Sequence, residues 1–324
     1  MSGDGPASPK HTAGQAVIFS GTAHPALAHE ICERLGLHLA PALVGTFKNG
    51  EIRVQIEENV RGADVFVVQS MCSPVDHNIM ELLIMIDALR RASAARVTAV
   101  VPYFAYAKQE KKMAGREPIS AKVIAKLLET VGADRVLTID LHAPAIEGFF
   151  DIPVDHLRAA PLLARAFQKL AIDREVIVVS PDAGGVARAN DFRARIHAGM
   201  AIISKTRPAT DVTEVLDMVG DVRGRCAVIV DDMISTGSTL IEAVDAVCQR
   251  GAHEVYACAT HPIFAGEAVE LIHRSALKGL ITTNTIPIPA DRLDSKIIML
   301  TVAPLLADAV ARIHDNRSVS ELFY

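Results

Sequence analysis

Tryptophan is absent from this 324-residue chain, and aromatic residues together make up only 4% of it. Half of the residues are hydrophobic, so any core must be mainly aliphatic. The five cysteines (Cys32, Cys72, Cys226, Cys248 and Cys258) are scattered, odd in number and form no CxxC pair. That pattern argues against a disulfide framework or a zinc site, and four of them fall in apolar or amphipathic segments as small core residues. No apolar run approaches the length of a membrane span. The opening "MSGDGPASPKHTAGQ" lacks the apolar core of a signal peptide; residues 1–15 are expected to be a disordered leader and the protein cytoplasmic. An excess of positive charge is missing too. With 33 Lys+Arg against 38 Asp+Glu, the formal net charge is −5, which argues against general nucleic-acid binding but leaves room for a local basic pocket.

What is present is alternation. The length predicts two domains of roughly 150 residues. Short β-branched runs at Ala63–Gln69, Arg96–Val101, Arg135–Leu141, Glu175–Ser180, Cys226–Val230 and Glu254–Thr260 read as strands. Amphipathic stretches between them read as helices: Ile79–Arg91, Ser120–Val131 with Ser120 as N-cap, Pro161–Leu170, and Ser238–Arg250 closed by Gly251. Continuous apolar strands alternating with helices predict parallel sheets covered on both faces. The pattern is interrupted at "DIPVDHLRAA" (Asp151–Ala160), which places a domain boundary there.

In such sheets ligands bind outside the carboxyl ends of the strands. Three strand candidates end in polar clusters: "DLHAP" with His142, "SPDAGG" with Asp182, and "DDMISTGST" with Asp231 and Asp232. The last is the most informative. A strand, then Thr236-Gly237-Ser238-Thr239, then a helix puts several backbone N–H groups at a helix N-terminus, a geometry suited to a phosphate. The hydroxyls of Ser235, Thr236, Ser238 and Thr239 add donors, and the two acids can accept from vicinal sugar hydroxyls. A capped helix preceded by solvated acids is the plainer alternative. In "AIISKTRPATDV" a strand is expected to end at Ser204, with Lys205 and Arg207 following in a mobile loop. Two cations spaced i, i+2 on extended chain face the same way and can close over a polyphosphate; a solvated cationic loop is the alternative. "FKNGE" (Phe47–Glu51) reads by itself as a turn around Asn49-Gly50.

The Asp231–Thr239 loop resembles the 5-phosphoribosyl-binding loop of type I phosphoribosyltransferases and of ribose-phosphate pyrophosphokinases. "FKNGE", "VRGADVFVVQS" (60–70), "REPISAK" (116–122), "ADRVLTIDLHAP" (133–144), "GFFDIPVDHL" (148–157), "VVSPDAGG" (178–185) and "SVSELF" (318–323) resemble the second family. The likeness runs from about Ala16 to the C-terminus. It implies two type I phosphoribosyltransferase-like α/β domains, residues 16–158 and 159–311, each with a central mainly parallel sheet flanked by helices. Residues 312–324 would pack back on the first domain.

The implied reaction moves the β,γ-diphosphoryl group of ATP to the 1-hydroxyl of ribose 5-phosphate, giving 5-phosphoribosyl 1-pyrophosphate and AMP for nucleotide biosynthesis. Lys205 and Arg207 would be catalytic. Arg207, Asp231, Asp232, Ser235, Thr236, Gly237, Ser238 and Thr239 would bind ribose 5-phosphate. Phe47, Asn49, Gly50, Glu51, Lys108, Gln109 and His142 would bind ATP, the first group coming from a neighbouring subunit of a homo-oligomer, a hexamer built from dimers. Mg²⁺ would be associated with His142 and Asp182. His142 taken alone is an ordinary polar residue. Arg61, Arg116, Ser318 and Ser320 match positions for regulation by inorganic phosphate or ADP. No membrane or nucleic-acid partner is implied.

The departures from the family pattern are Lys108 for Arg, Glu110 for Asp, Ser235 for Asp and Ser238 for Gly. Pro144 and Glu147 replace residues that are often polar and uncharged, and the extra carboxylate predicts altered phosphate dependence. Other readings are a phosphoribosyltransferase that consumes the activated sugar, and a regulatory homologue without turnover.

Overall fold

The computed structural model describes residues 14–170, 174–206 and 215–323. The chain splits into two compact units, one running to Leu157 and taking in everything from Val302, the other spanning Arg158–Thr301.

The first unit begins with β1 (Ala16–Ser20) and helix α1 (Pro25–Leu35). The His24 ring caps this helix by accepting the Leu27 N–H at 3.3 Å, and Gly36 ends it at φ 67. A separate antiparallel hairpin, β2 (Ala42–Thr46) and β3 (Ile52–Ile56), follows. Then come β4 (Asp64–Val68), α2 (Val75–Arg91), β5 (Arg96–Val101), α3 (Ser120–Thr130), β6 (Arg135–Ile139) and β7 (Val154–Leu157). The sheet order is β1-β4-β5-β6-β7 and every pairing is parallel. All five residues of β4 are buried, as a strand covered on both faces requires.

The second unit carries α4 (Ala160–Leu170), β8 (Val176–Ser180), α5 (Val186–Ile196), β9 (Gly199–Thr206), β10 (Val215–Val219), β11 (Cys226–Ile234), α6 (Ser238–Gln249), β12 (Glu254–Pro262), α7 (Ala268–Arg274), β13 (Gly279–Thr283) and β14 (Ile297–Leu300). Its seven strands lie in the order β10-β9-β8-β11-β12-β13-β14, parallel except for β10. The chain leaves β8 toward β9 on one side and later lays β11 on the other. The sheet therefore has its topological switch point between β8 and β11, where open α/β sheets bind ligands. The core beneath is aliphatic, with Val179, Ile229, Ala257 and Leu280 from the strands meeting Val244 and Val247 of α6.

After Thr301 the chain forms α8 (Ala303–His314), which packs on α1 of the first unit. Arg96 of β5 grips both oxygens of Asp64 at 2.7 and 2.5 Å and donates to the Ile313 carbonyl at 3.0 Å. His314 Nδ1 lies 2.8 Å from the same carboxylate. These contacts tie the last helix to the edges of β4 and β5.

The expected α/β architecture with two mainly parallel sheets is the one observed, and β5 has the expected limits. Three local expectations are corrected. Ser120 is the first residue of α3 and Ile119 its N-cap; the Ser120 hydroxyl donates instead to Gln109 Oε1. β11 does not stop at Val230 but runs to Ile234, because β12 pairs with it as far as Pro262. β9 does not end at Ser204: Lys205 and Thr206 belong to it, held by the antiparallel pairing of β10. Residues 1–13, most of the expected leader, and Arg207 lie outside the described residues. All five cysteines are free, four of them buried, and burial raises the Cys32 thiol to about 11. Among the described residues, no helix is long and apolar enough to cross a membrane.

Candidate active site

β8 pairs with β11 only as far as Ile229, opposite Val179. Past that point this side of β11 has lost its neighbour, and there stand Asp231 and Asp232. Side chains one apart on a flat strand face opposite ways. Here a single guanidinium reaches both: Arg188 of α5 places Nη1 2.9 Å from Asp231 Oδ1 and Nη2 3.0 Å from Asp232 Oδ1. The Asp232 side chain is 3% exposed and that of Asp231 29%. Asp231 Oδ1 also accepts the Asp232 N–H at 2.8 Å.

Burial, and then the neighbouring charge of Asp232, raise the Asp231 carboxyl from its ordinary 3.8 to about 7, against the opposing pull of Arg188. Folded Asp231 therefore keeps a proton that the unfolded chain releases between roughly pH 4 and 7. The carboxylate's contribution to stability falls as pH rises through that window and is level above it. Asp231→Asn, which cannot ionise, is expected to gain thermal stability relative to the parent on going from pH 5 to pH 8. Parallel melting curves of the two proteins check this, and a pH-independent difference would refute it.

The loop beyond β11 is shaped by its partners. Ile263 and Phe264 N–H groups donate to the Ile234 carbonyl, and Ala265 N–H donates to that of Ser235 at 3.0 Å. The left-handed turn is made by Gly237 (φ 83), after which α6 begins at Ser238. Its N-cap residue, Gly237, has no side chain to cap the helix, and Thr236, Ser238 and Thr239 are exposed at its N-terminus, with the Thr236 and Ser238 hydroxyls 3.0 Å apart. Ser238 occupies a helical position rather than the left-handed one, so the side chain that replaces the expected glycine meets no backbone obstacle.

On the adjoining connection Asp182 is exposed, and its Oδ1 accepts the Gly185 N–H at 2.8 Å; Ser180 Oγ donates to the Asp182 carbonyl. This tight turn starts α5 and so sets Arg188 in place. Lys205 stands on β9, the other neighbour of β8, at the same carboxyl edge. The second unit thus gathers Asp182, Lys205, Asp231, Asp232 and Ser235–Thr239 at one edge of one sheet. Arg188 was not anticipated. The available signal was an Arg three residues into a helix entered from a strand through Ser-Pro-Asp-Ala-Gly-Gly.

In the first unit, Phe47–Glu51 forms the β2–β3 turn, with Phe47 N–H bonded to the Glu51 carbonyl (2.7 Å), Gly50 at φ 91 and Asn49 Oδ1 accepting Glu51 N–H. Phe47 is 50% exposed, with Arg53 stacked 5.8 Å from its ring centre. Lys108 and Gln109 sit in a 3₁₀ turn after β5, and His142 follows β6, so these three occupy the carboxyl ends of neighbouring strands. The turn at His142 is braced: Leu141 N–H donates to Nε2 of buried His156 at 2.7 Å, and His156 Nδ1 lies 2.5 Å from Glu147 Oε1. With Nε2 accepting, the ring proton resides on Nδ1 and is donated to Glu147.

Among the described residues no three His, Cys, Asp or Glu side chains converge as a metal cage. The donor at Asp182 is one exposed carboxylate, a ligand count that suits a hard ion held mostly by water and substrate oxygens.

Two family models match the chain. One, described as the N-terminal domain of ribose phosphate pyrophosphokinase, covers residues 16–132; the other, described as the phosphoribosyl synthetase-associated domain, covers 205–324. A ribose-phosphate pyrophosphokinase of Caldanaerobacter subterraneus subsp. tengcongensis is 52% identical over 94% of this chain and 97% of its own length. That of Bacillus subtilis is 47% identical over 94% and 96%. The chain belongs to the ribose-phosphate pyrophosphokinase family. A solved family structure, the phosphoribosylpyrophosphate synthetase of Mycobacterium smegmatis, superposes with a TM-score of 0.89 at 41% identity, covering 93% of this chain and 99% of that one. Membership of this pyrophosphokinase family removes the phosphoribosyltransferase alternative.

Proposed function

We propose that the chain catalyses attack of the 1-hydroxyl oxygen of ribose 5-phosphate on the β-phosphorus of ATP. A new O1–Pβ bond forms, the bond from Pβ to the oxygen bridging the α-phosphate breaks, AMP leaves, and the hydroxyl proton is lost. The observation that carries this reading is the pairing, at one sheet edge, of two adjacent carboxylates with an uncapped, hydroxyl-rich helix N-terminus in a pyrophosphokinase-family chain.

Each part has a task set by its chemistry. Amides and hydroxyls of Ser235–Thr239 hold the 5-phosphate, where the dipole of α6 favours an anion. Asp231 and Asp232 accept from the ring hydroxyls and orient O1. Lys205 and Arg207 offset the charge that develops on the transferring group, Lys as a compact charge and Arg as a two-pronged donor. In the first unit, Phe47, Asn49, Gly50 and Glu51 with Lys108, Gln109 and His142 hold ATP. Exposure of Phe47 on its hairpin supports its service to a second copy of the chain in a homohexamer built from dimers. Mg²⁺ supplies neutralisation of the polyphosphate when bound. Asp182 would offer it a carboxylate oxygen, and His142 would act through bound water or the nucleotide. The two domains are read as a nucleotide-binding unit with a C-terminal return and a sugar-phosphate-binding unit, in the cytoplasm.

Inorganic phosphate or ADP regulates through Arg61, Arg116, Ser318 and Ser320, and the Glu147 carboxylate weakens phosphate binding and so alters the phosphate dependence. Purified protein with Mg²⁺, ATP and ribose 5-phosphate is expected to release AMP in step with 5-phosphoribosyl 1-pyrophosphate, with substantial activity before phosphate is added. Absence of AMP sinks the reading, and strict phosphate dependence saturating at low phosphate sinks the regulatory part.

A further inference from the structure

Arg188 treats its acids differently from other arginines of this chain. Arg96 sets two nitrogens on one carboxylate, Asp64, and Arg195 does the same with Asp191 at 3.1 and 3.1 Å. That bidentate geometry is the stronger way to hold a single acid. Arg188 instead gives one nitrogen to each of two acids, at 2.9 and 3.0 Å. The arrangement gives up a bidentate bond and brings together two like charges that the alternation of the strand would send apart. Asp232 is buried, but the Arg188 and Asp231 side chains are 24% and 29% exposed, and Asp231 borders the open edge left by β8.

We propose that Arg188 is a positioning residue for ribose 5-phosphate, holding Asp231 and Asp232 side by side as a preformed pair of acceptors for vicinal ring hydroxyls. This rests on the reading of the Asp231–Thr239 loop as the sugar-phosphate site. The fork takes Oδ1 of each acid, and a carboxylate has further lone pairs for a donor hydroxyl. The guanidinium also lowers the pH at which the Asp231 carboxyl gives up its proton, against the opposing effects of burial and Asp232. Among the described residues, the charged groups facing Asp231 are Asp232 on its own strand and Arg188 on α5, and they act in opposite senses. Without Arg188 the pair retains a proton to higher pH, and a protonated acid is a poorer acceptor.

Steady-state kinetics with each substrate varied from pH 6 to 9, and calorimetric binding of ribose 5-phosphate, test this on Arg188→Gln and Arg188→Lys. Arg188→Gln is expected to raise the ribose 5-phosphate KM about 10- to 100-fold, the size of one or two charge-assisted hydrogen bonds, with the ATP KM within about twofold. The acid limb of ribose 5-phosphate binding should move to higher pH. Arg188→Lys, which keeps the charge but not the fork, should leave that limb in place and recover part of the affinity. Equal rises in both KM values, an unmoved acid limb, or a Lys variant no better than Gln would overturn the proposal. If Arg188→Gln fails to fold, Arg188→Lys decides, and a ribose 5-phosphate KM equal to the parent's refutes the need for a fork. Should the parent bind ribose 5-phosphate yet release no AMP, the reaction assignment fails while calorimetry still tests Arg188. No binding at all refutes both.

Discussion

Lys205→Ala is expected to lower kcat about a thousandfold while leaving the Kd for ribose 5-phosphate within about threefold of the parent. Such a loss corresponds to about 4 kcal/mol of transition-state stabilisation. The split between rate and binding follows from the fold. The last residue of β8 to pair with β9 is Ser180, opposite Ile202. Lys205 comes three residues later on β9, so its backbone lies roughly 10 Å further along the strand, past the end of β8. Ser235–Thr239, the segment proposed to hold the sugar phosphate, are instead on the connection after β11, on the opposite side of β8. In the proposed reaction a cation there would act on charge that appears when the diphosphoryl group is in transit, and would contribute little to holding the sugar. Single-turnover AMP formation and calorimetry separate the two quantities. An unchanged kcat, or a Kd that weakens in proportion to the rate, would remove Lys205 from catalysis.

What could be read from the residues alone depended on whether the signal was local. β5 was legible to its last residue because "RVTAVV" is a short β-branched run packed on both faces, all but its first residue buried. The β11–α6 loop was legible because a strand, paired acids, hydroxyls and a glycine follow one another within a dozen residues. Where one element depends on another, the reading fell short. Asp231–Ile234 extend β11 only because β12 keeps pairing beside them. Lys205 belongs to a strand only because β10 returns antiparallel along it, and the polar-interrupted "VLDMV" of β10 gives little sign of doing so. Ser120 has the chemistry of an N-cap, but Gln109, eleven residues back, captures its hydroxyl. Arg188 was hidden for the same reason: a charged residue on an amphipathic helix reads as solvated until the sheet brings Asp231, 43 residues later, against it.

Distance in sequence matters as much for Glu81, and Glu81→Leu is expected to cost the fold about 2–4 kcal/mol. Its carboxylate, on the inner face of α2, is fully buried. It accepts from Thr22 N–H at 2.6 Å, Thr22 Oγ1 at 2.8 Å and Gln69 Nε2 at 2.6 Å. Gln69 passes the connection on, accepting Ala23 N–H at 3.1 Å and donating to the Asn78 carbonyl at 3.3 Å. One acid thereby joins α2, the carboxyl end of β4 and the turn between β1 and α1. The turn approaches so closely that a Cβ on Gly21 would overlap Gln69 Oε1 and Glu81 Oε1. Leucine has nearly the volume of glutamate, so the loss would come from stranded donors rather than from a cavity. Glu81→Gln keeps an acceptor and should cost about half as much, since the charge-assisted part alone is removed. The β1–α1 turn lies at the same sheet edge as the connections bearing Lys108 and His142. The loosened variant should therefore also show a raised ATP KM at temperatures where it remains folded. Urea unfolding of the three proteins decides the first point, and a Leu variant within about 0.5 kcal/mol of the parent would show that the network contributes no net stability.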